Sequence, residues 1–240
     1  MMQEEFKNLL KENYTKIRKS IVECAQLNYR NPGDITIVAV SKTFPVETIE
    51  LAYQAGIRSF GENYAQELRD KIQYFSTTSF KPDWHFIGHL QSNKVKYLIP
   101  YVKLIHTVDD VDLAKEIDKR ARFAGIIQNI LIQVNTSGEP QKSGVEPDGL
   151  ISLVNKIIYL KNVNLIGLMT IGTFTDDENI SRSEFGLLAE LKKEVNNNLG
   201  EEKLTELSMG MSHDYLIAIE EGATIVRIGT AIFGDRIYNK

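Results

Sequence analysis

The sequence predicts an α/β fold: a (β/α)8 TIM barrel with an extra N-terminal helix. Three observations lead there. Short β-branched apolar runs alternate with amphipathic helical stretches from residue 34 onward. About eight such units follow one another, each roughly 26 residues long, and strands joined through helices run parallel. No linker, low-complexity stretch or composition break interrupts the chain, so residues 1–240 read as one domain, with 1–33 as helix and linker. An open doubly wound sheet is the competing arrangement.

The elements follow in order. Phe6, Leu10, Ile17, Ile21 and Cys24 recur at helical spacing and predict a helix over residues 3–29, which Asn31-Pro32-Gly33 stops. Ile35–Val40 is the first strand; Pro45 opens a helix and Gly56 closes it. Ser59–Gly61 is a strand, and Ala65, Leu68, Ile72 and Phe75 mark the next helix. Trp84–Gly88 is the third strand, followed by a short helix that Ser92 caps and Pro100 ends. Leu104–Val108 is the fourth, before a helix that Gly125 closes. Ile130–Val134 and a helix through Leu150, Leu153, Val154 and Ile157 make the fifth unit. Val163–Ile171 holds the sixth strand; Ser181 and Glu184 read as a capping box for a helix closed by Gly200. Leu204–Met209 is the seventh, with Ser212 capping a helix that ends at Gly222, and Thr224–Ile228 is the eighth.

Composition excludes several classes. Charged residues are 25% of the 240, and no window holds 18 uncharged apolar residues, which excludes a disordered tail and a helical membrane protein. The net charge of −4 argues against nucleic acid as the main partner. Cys24 is the only cysteine and reads as buried filler in a reducing compartment, the cytoplasm. The charged N-terminus has no apolar signal segment and reads as mature protein. The two sequons at Asn13 and Asn135 therefore carry no weight.

Functional groups of a barrel gather at the C-terminal ends of its strands. Lys42 follows a wholly apolar strand. Desolvation there favours the neutral amine that imine formation requires, although a lysine can also snorkel to water or pair with a carboxylate. Ser208-Met209-Gly210-Met211-Ser212 and Gly229-Thr230 follow the last two strands, where barrels commonly bind phosphate. Hydroxyls and exposed N–H groups suit an anion; ordinary caps and turns are the plainer reading. Arg227 lies within the eighth strand and faces either the barrel interior or the helices. An inward arginine needs an acceptor, either an internal carboxylate or a ring nitrogen of a ligand. An amine, an anion cradle and an arginine for a ring nitrogen together point to pyridoxal 5′-phosphate (PLP). His85-x-x-x-His89 has zinc-like spacing, but Gly88 interrupts it and no acidic partner is near, so no metal is expected. His106 reads as a satisfied core group and His213 as surface.

Five stretches then stand in one order: Ala39–Thr43, Phe60–Asn63, His85–Lys94, Ser208–Ser212 and Val226–Gly234. Through them the chain resembles the PLP homeostasis proteins, single-domain relatives of the alanine racemase barrel, over residues 34–236. The resemblance implies that Lys42 forms an imine with PLP. It implies that Ser208, Ser212, Gly229 and Thr230 hold the phosphate, that Arg227 faces the pyridine nitrogen, and that Asn63 lies beside the ring. One departure is Phe44, where the family often has a second lysine. Lys142 is a further candidate contact, although an exposed loop lysine is the simpler reading.

The implied role is a cytoplasmic, monomeric protein that holds and releases PLP, with PLP-dependent apo-enzymes as recipients, and without specific turnover. Racemisation needs a second acid/base group on the opposite face of the substrate. The relatives with that activity take it from a further domain, for which the ten residues after Thr230 leave no room. Tyr64, Tyr74, Tyr101 and Tyr215 read as packing or surface aromatics. A racemase-like enzyme and a Schiff-base aldolase barrel acting on a sugar phosphate are the alternatives.

Overall fold

The apolar runs close on one another in sequence order. In a computed structural model that describes residues 2–234, eight parallel strands form a closed barrel in which β8 returns to β1. Residues Asp235 and Arg236 of the family-like stretch lie outside the described residues. The chain runs α1 (Met2–Leu27), β1 (Thr36–Val40), α2 (Val46–Gln54), β2 (Ser59–Glu62), α3 (Ala65–Ser76) and β3 (Asp83–Phe86). A 3-10 helix (Ser92–Tyr97) leads to β4 (Val102–Val108), α4 (Val111–Ala124), β5 (Gln128–Gln133), α5 (Leu150–Ile157) and β6 (Val163–Met169). The last units are α6 (Glu178–Leu199), β7 (Glu206–Ser208), α7 (Tyr215–Glu220), β8 (Ile225–Ile228) and α8 (Thr230–Phe233). No helix of the described residues is long and apolar enough to cross a membrane.

Strand alternation divides the core in two. Val38, Leu104, Leu131, Met169 and Ile225 fill the barrel, while the larger apolar cluster lies between strands and helices. Arg227 is two residues from Ile225 on the same strand and therefore points inward. Leu10, Ile17, Ile21, Cys24 and Ala25 of α1 are buried against α2, α7 and α8. Each large apolar side chain buried there contributes roughly 1.5–3 kcal/mol. The helix thus covers the seam where β8 meets β1, and Asn13 Nδ2 donates to the Ile232 carbonyl at 3.0 Å. Cys24 is buried, as its helical spacing predicts, and burial raises its thiol pKa.

Three caps differ from the sequence reading. Gln91 takes the cap position before Ser92 without a side-chain bond. Asp177, not Ser181, caps α6 by accepting from the Asn179 N–H. Ser181 and Glu184 fall inside that helix, and Glu184 instead receives the Thr173 N–H at 2.7 Å. Ser212 stands two residues ahead of Asp214, the residue at the cap position of α7, and its hydroxyl bonds elsewhere.

Gly88 sets how closely two strand ends meet. A Cβ there would lie 2.1 Å from the Asn63 carbonyl oxygen and 2.6 Å from its Cα. Gly88→Ala must push the ends of β2 and β3 apart, with an expected cost of about 3 kcal/mol. A urea midpoint unchanged from wild type would contradict this close approach.

Candidate functional site

Lys42 is the second residue past β1, and the loop that carries it is fastened from below. Ser41 Oγ donates to Glu62 Oε1 at 2.6 Å. Lys71, on α3, spends all three ammonium protons here. It donates to the Ser41 carbonyl at 2.9 Å, to Glu62 Oε1 at 2.7 Å and to Glu67 Oε1 at 2.7 Å. Glu67 Oε1 also accepts the Thr43 N–H at 2.7 Å. Thr43 has φ +69°, the left-handed region that β-branched residues avoid. The backbone on both sides of Lys42 is therefore tied to one buried charge cluster, and that cluster holds a strained turn in place.

Burial pushes the Glu62 carboxyl up to about 7, against the attraction of Lys71 and the bonds from Lys71 and Ser41. Between the ordinary value of 4.5 and about 7, the folded chain keeps a proton that the unfolded chain releases. This group therefore lowers stability as pH rises through that window, by up to roughly 3 kcal/mol. Glu62→Gln is expected to remove that slope. Urea midpoints at about pH 5 and about pH 7.5 measure it; equal slopes in the variant and wild type would refute the assignment.

On the other flank of the β1 end, where β8 pairs with β1, two loops are joined by one hydroxyl. Ser212 Oγ accepts from the Gly229 N–H at 3.2 Å and the Ala231 N–H at 3.4 Å. Its own proton is left to donate into the cavity. Gly210 makes the turn at φ +89°, and a Cβ there would lie 2.6 Å from Ala218 Cβ. Asp214 closes the loop by accepting the Met211 N–H at 2.5 Å.

Arg227 occupies the floor. Its Nη1 donates to Ser208 Oγ at 2.7 Å and its Nη2 to the Thr170 carbonyl at 2.8 Å. No carboxylate among the described residues pairs with it. Burial lowers its pKa to about 10, so it remains a cation and a donor at neutral pH.

Lys42, Ser212, Arg227, Gly229 and Thr230 line one cavity of about 220 Å³, together with Val40, Phe174, Met211 and His213. The structure separates two expected residues from this group. Ser208 is fully buried beneath Arg227, and its hydroxyl is engaged by the guanidinium and by His106. It therefore lies outside the lining of this cavity, with its hydroxyl bonded to the arginine. Asn63 lines a second cavity of about 200 Å³ at the same mouth, with Gly88, Thr107, Gln133 and Lys142. Its Oδ1 is buried with no hydrogen-bond partner among the described residues. Lys142 is only partly exposed, not a free loop lysine, and pairs with Glu139. Phe44 packs on Phe233 with ring centroids 4.9 Å apart. His85 turns inward and His89 is exposed, so the zinc-like spacing does not converge.

Other residues were not legible as part of the site. Lys71 and Glu67 have the i,i+4 spacing of a surface pair. Only the position of Lys71 between Leu68 and Ile72, both buried, hints that it is enclosed. His213 is exposed as expected but also lines the cavity, edge to face with Phe174 with centroids 4.9 Å apart.

One cavity thus brings together the Ser212 and Thr230 hydroxyls, the Arg227 guanidinium and the Lys42 amine. That donor set fits PLP. Fold and site together define a (β/α)8 barrel whose mouth carries the groups that such a cofactor needs.

Similarity to known proteins agrees. The family described as alanine racemase, N-terminal domain, matches residues 10–237. The PLP homeostasis protein of Aquifex aeolicus is 43% identical over 227 residues, 95% of this chain and 98% of its own length. That of Schizosaccharomyces pombe is 41% identical over 86% of each chain. The solved structure of PipY from Synechococcus elongatus with PLP bound is 34% identical, with a TM-score of 0.79 over 89% of this chain and 100% of its own. An alanine racemase from Clostridium difficile, 15% identical, shares the fold with a TM-score of 0.70 over 97% of this chain and 57% of its own. The chain belongs to the alanine racemase N-terminal domain family and, within it, to the PLP homeostasis proteins.

Proposed function

We propose that this chain binds PLP in the Lys42 cavity and serves PLP homeostasis by holding the cofactor and releasing it. The observation that carries this reading is the convergence of Lys42, Ser212, Arg227, Gly229 and Thr230 on one cavity. The names of the relatives and the PLP-bound PipY neighbour support it. Bound PLP supplies an aldehyde that condenses reversibly with amines. Lys42 presents its amine at the end of the fastened β1 loop. Ser212 and Thr230 receive the phosphate, beside Gly229, whose N–H holds the Ser212 oxygen. Arg227 donates to the ring nitrogen, and Asn63 approaches from the second cavity.

Arg227 also bears on turnover. It only donates, so a ring nitrogen that accepts from it carries no proton. An unprotonated ring draws electrons from a substrate weakly. We read the protein as a carrier without specific turnover, and residues 1–240 as one domain, monomeric and cytoplasmic, with PLP-dependent apo-enzymes as recipients.

The test is direct. Wild-type protein mixed with PLP should gain a visible absorbance band that borohydride bleaches. Peptide mapping should then find the reduced adduct on Lys42. Protein that stays colourless and unmodified would end the proposal. Conversion of L- to D-alanine at turnover rates by the loaded protein would replace the carrier reading with an enzymatic one.

A further inference from the structure

Beneath Arg227 the barrel interior holds a polar chain that the cavity does not use. Ser208 Oγ receives Arg227 Nη1 at 2.7 Å and lies 2.9 Å from His106 Nδ1. His106 Nε2 lies 2.9 Å from His85 Nδ1. All four side chains are buried, and His85 Nε2 has no hydrogen-bond partner among the described residues. The chain runs from the C-terminal mouth to the other end of the barrel. There His85 lines a separate cavity of about 140 Å³ with Thr36, Asn129 and Glu206, residues at the starts of their strands.

Counting protons fixes the direction of the chain. Burial holds both imidazoles below the ordinary histidine range, His85 at about 4, so each carries one proton at neutral pH. In one arrangement Ser208 donates to His106 Nδ1, His106 Nε2–H donates to His85 Nδ1, and the last proton sits on His85 Nε2. Only that N–H is then left over, on the residue that lines the 140 Å³ cavity. In the reverse arrangement the Ser208 hydroxyl has its oxygen occupied by two donors and its proton unplaced. His85 Nε2 then becomes a lone acceptor. Two buried groups are unsatisfied instead of one, and each such group is costly.

We propose that His106 and His85 are positioning residues for Arg227: they form a one-way hydrogen-bond chain that turns the Ser208 oxygen toward the guanidinium. A hydroxyl that gives its proton to His106 presents its lone pairs to Arg227, which has only donors. The chain thereby holds Arg227 in the orientation in which its remaining N–H groups meet the cavity. What Arg227 meets there rests on the PLP reading; the hydrogen-bond direction does not.

Long-range nitrogen–proton NMR on cofactor-free, full-length protein with labelled histidine tests the direction. The chain has four histidines, and His→Gln variants assign them. Both His106 and His85 are expected to carry their proton on Nε2. A proton on Nδ1 of His106 would overturn the proposal, whether or not PLP binds. On loaded protein, His106→Phe is expected to weaken PLP retention about tenfold, because a Ser208 hydroxyl without its acceptor no longer holds its oxygen toward the charged Arg227. His106→Asn, whose amide oxygen can replace Nδ1 as acceptor, should restore retention to within about threefold. Wild-type retention in His106→Phe would also overturn it. A wild-type chain that retains no PLP would count against the functional reading alone, and the tautomers would still decide this one.

Discussion

Replacing Lys42 by alanine is expected to abolish the visible band of the PLP-loaded protein and to weaken retention at least about 100-fold, near 2.7 kcal/mol. The remaining groups of the cavity, Ser212, Gly229, Thr230 and Arg227, bind charge and heteroatoms but cannot bond covalently to an aldehyde. The variant should therefore still take up PLP weakly and lose it on gel filtration. Lys42→Arg is expected to behave like alanine, because guanidinium keeps its proton and is not a nucleophile at neutral pH. A Lys42→Ala protein that stays coloured would move the covalent role to another amine. Lys142, which lines the second cavity at the same mouth, is the residue to replace next.

Lys71→Met is expected to have the largest effect on stability. The lysine is buried and, among the described residues, is the one cation paired with both Glu62, which is fully buried, and Glu67, which is a quarter exposed. Its removal leaves carboxylates enclosed without a counter-charge, which typically costs 3–5 kcal/mol. The loss should be greatest at about pH 8 and smaller at about pH 5, where protonation relieves Glu62. A second effect follows from the same bonds. The Ser41 carbonyl loses its donor, and Glu67 loses the charge that holds it under the Thr43 N–H. The Lys42 loop should then loosen, and borohydride-trapped PLP on Lys42 should form more slowly even where the variant is folded. Equal destabilisation at both pH values, with an unchanged trapping rate, would show that the cluster neither carries this charge nor holds the loop.

The fold was legible because its signals are local. Residues such as Ile37, Val38 and Val40 read as strand from their own branching, and Gly125 and Gly200 end their helices in the left-handed conformation that glycine favours. Much of the site was legible too, since Lys42, Ser212, Gly229 and Thr230 stand at strand ends where a barrel places function. What the sequence did not show was facing. Ser208 stands next to the Ser212 loop in sequence, yet it is the last residue of β7 and points into the barrel under Arg227. Ser212 looked like a helix cap, but its hydroxyl bonds across to the loop after β8. Lys71 looked like half of a surface pair, but α3 packs its ammonium under the β1 loop.

By itself, the sequence determined the order and type of the elements, the parallel closure they imply, and the residue types available at the mouth. Periodicity and turn chemistry act over a few residues, so they survive in one dimension. Only the tertiary structure decided which of those residues share a cavity. It alone brought Lys71 to Ser41, thirty residues away, and Ser208 to His106, 102 residues away. Those contacts depend on how eight strands tilt and close, and on which face each side chain takes when they do. Facing decides whether a hydroxyl at a strand end lines the mouth or bonds to an arginine beneath it, and nothing local in the sequence records it.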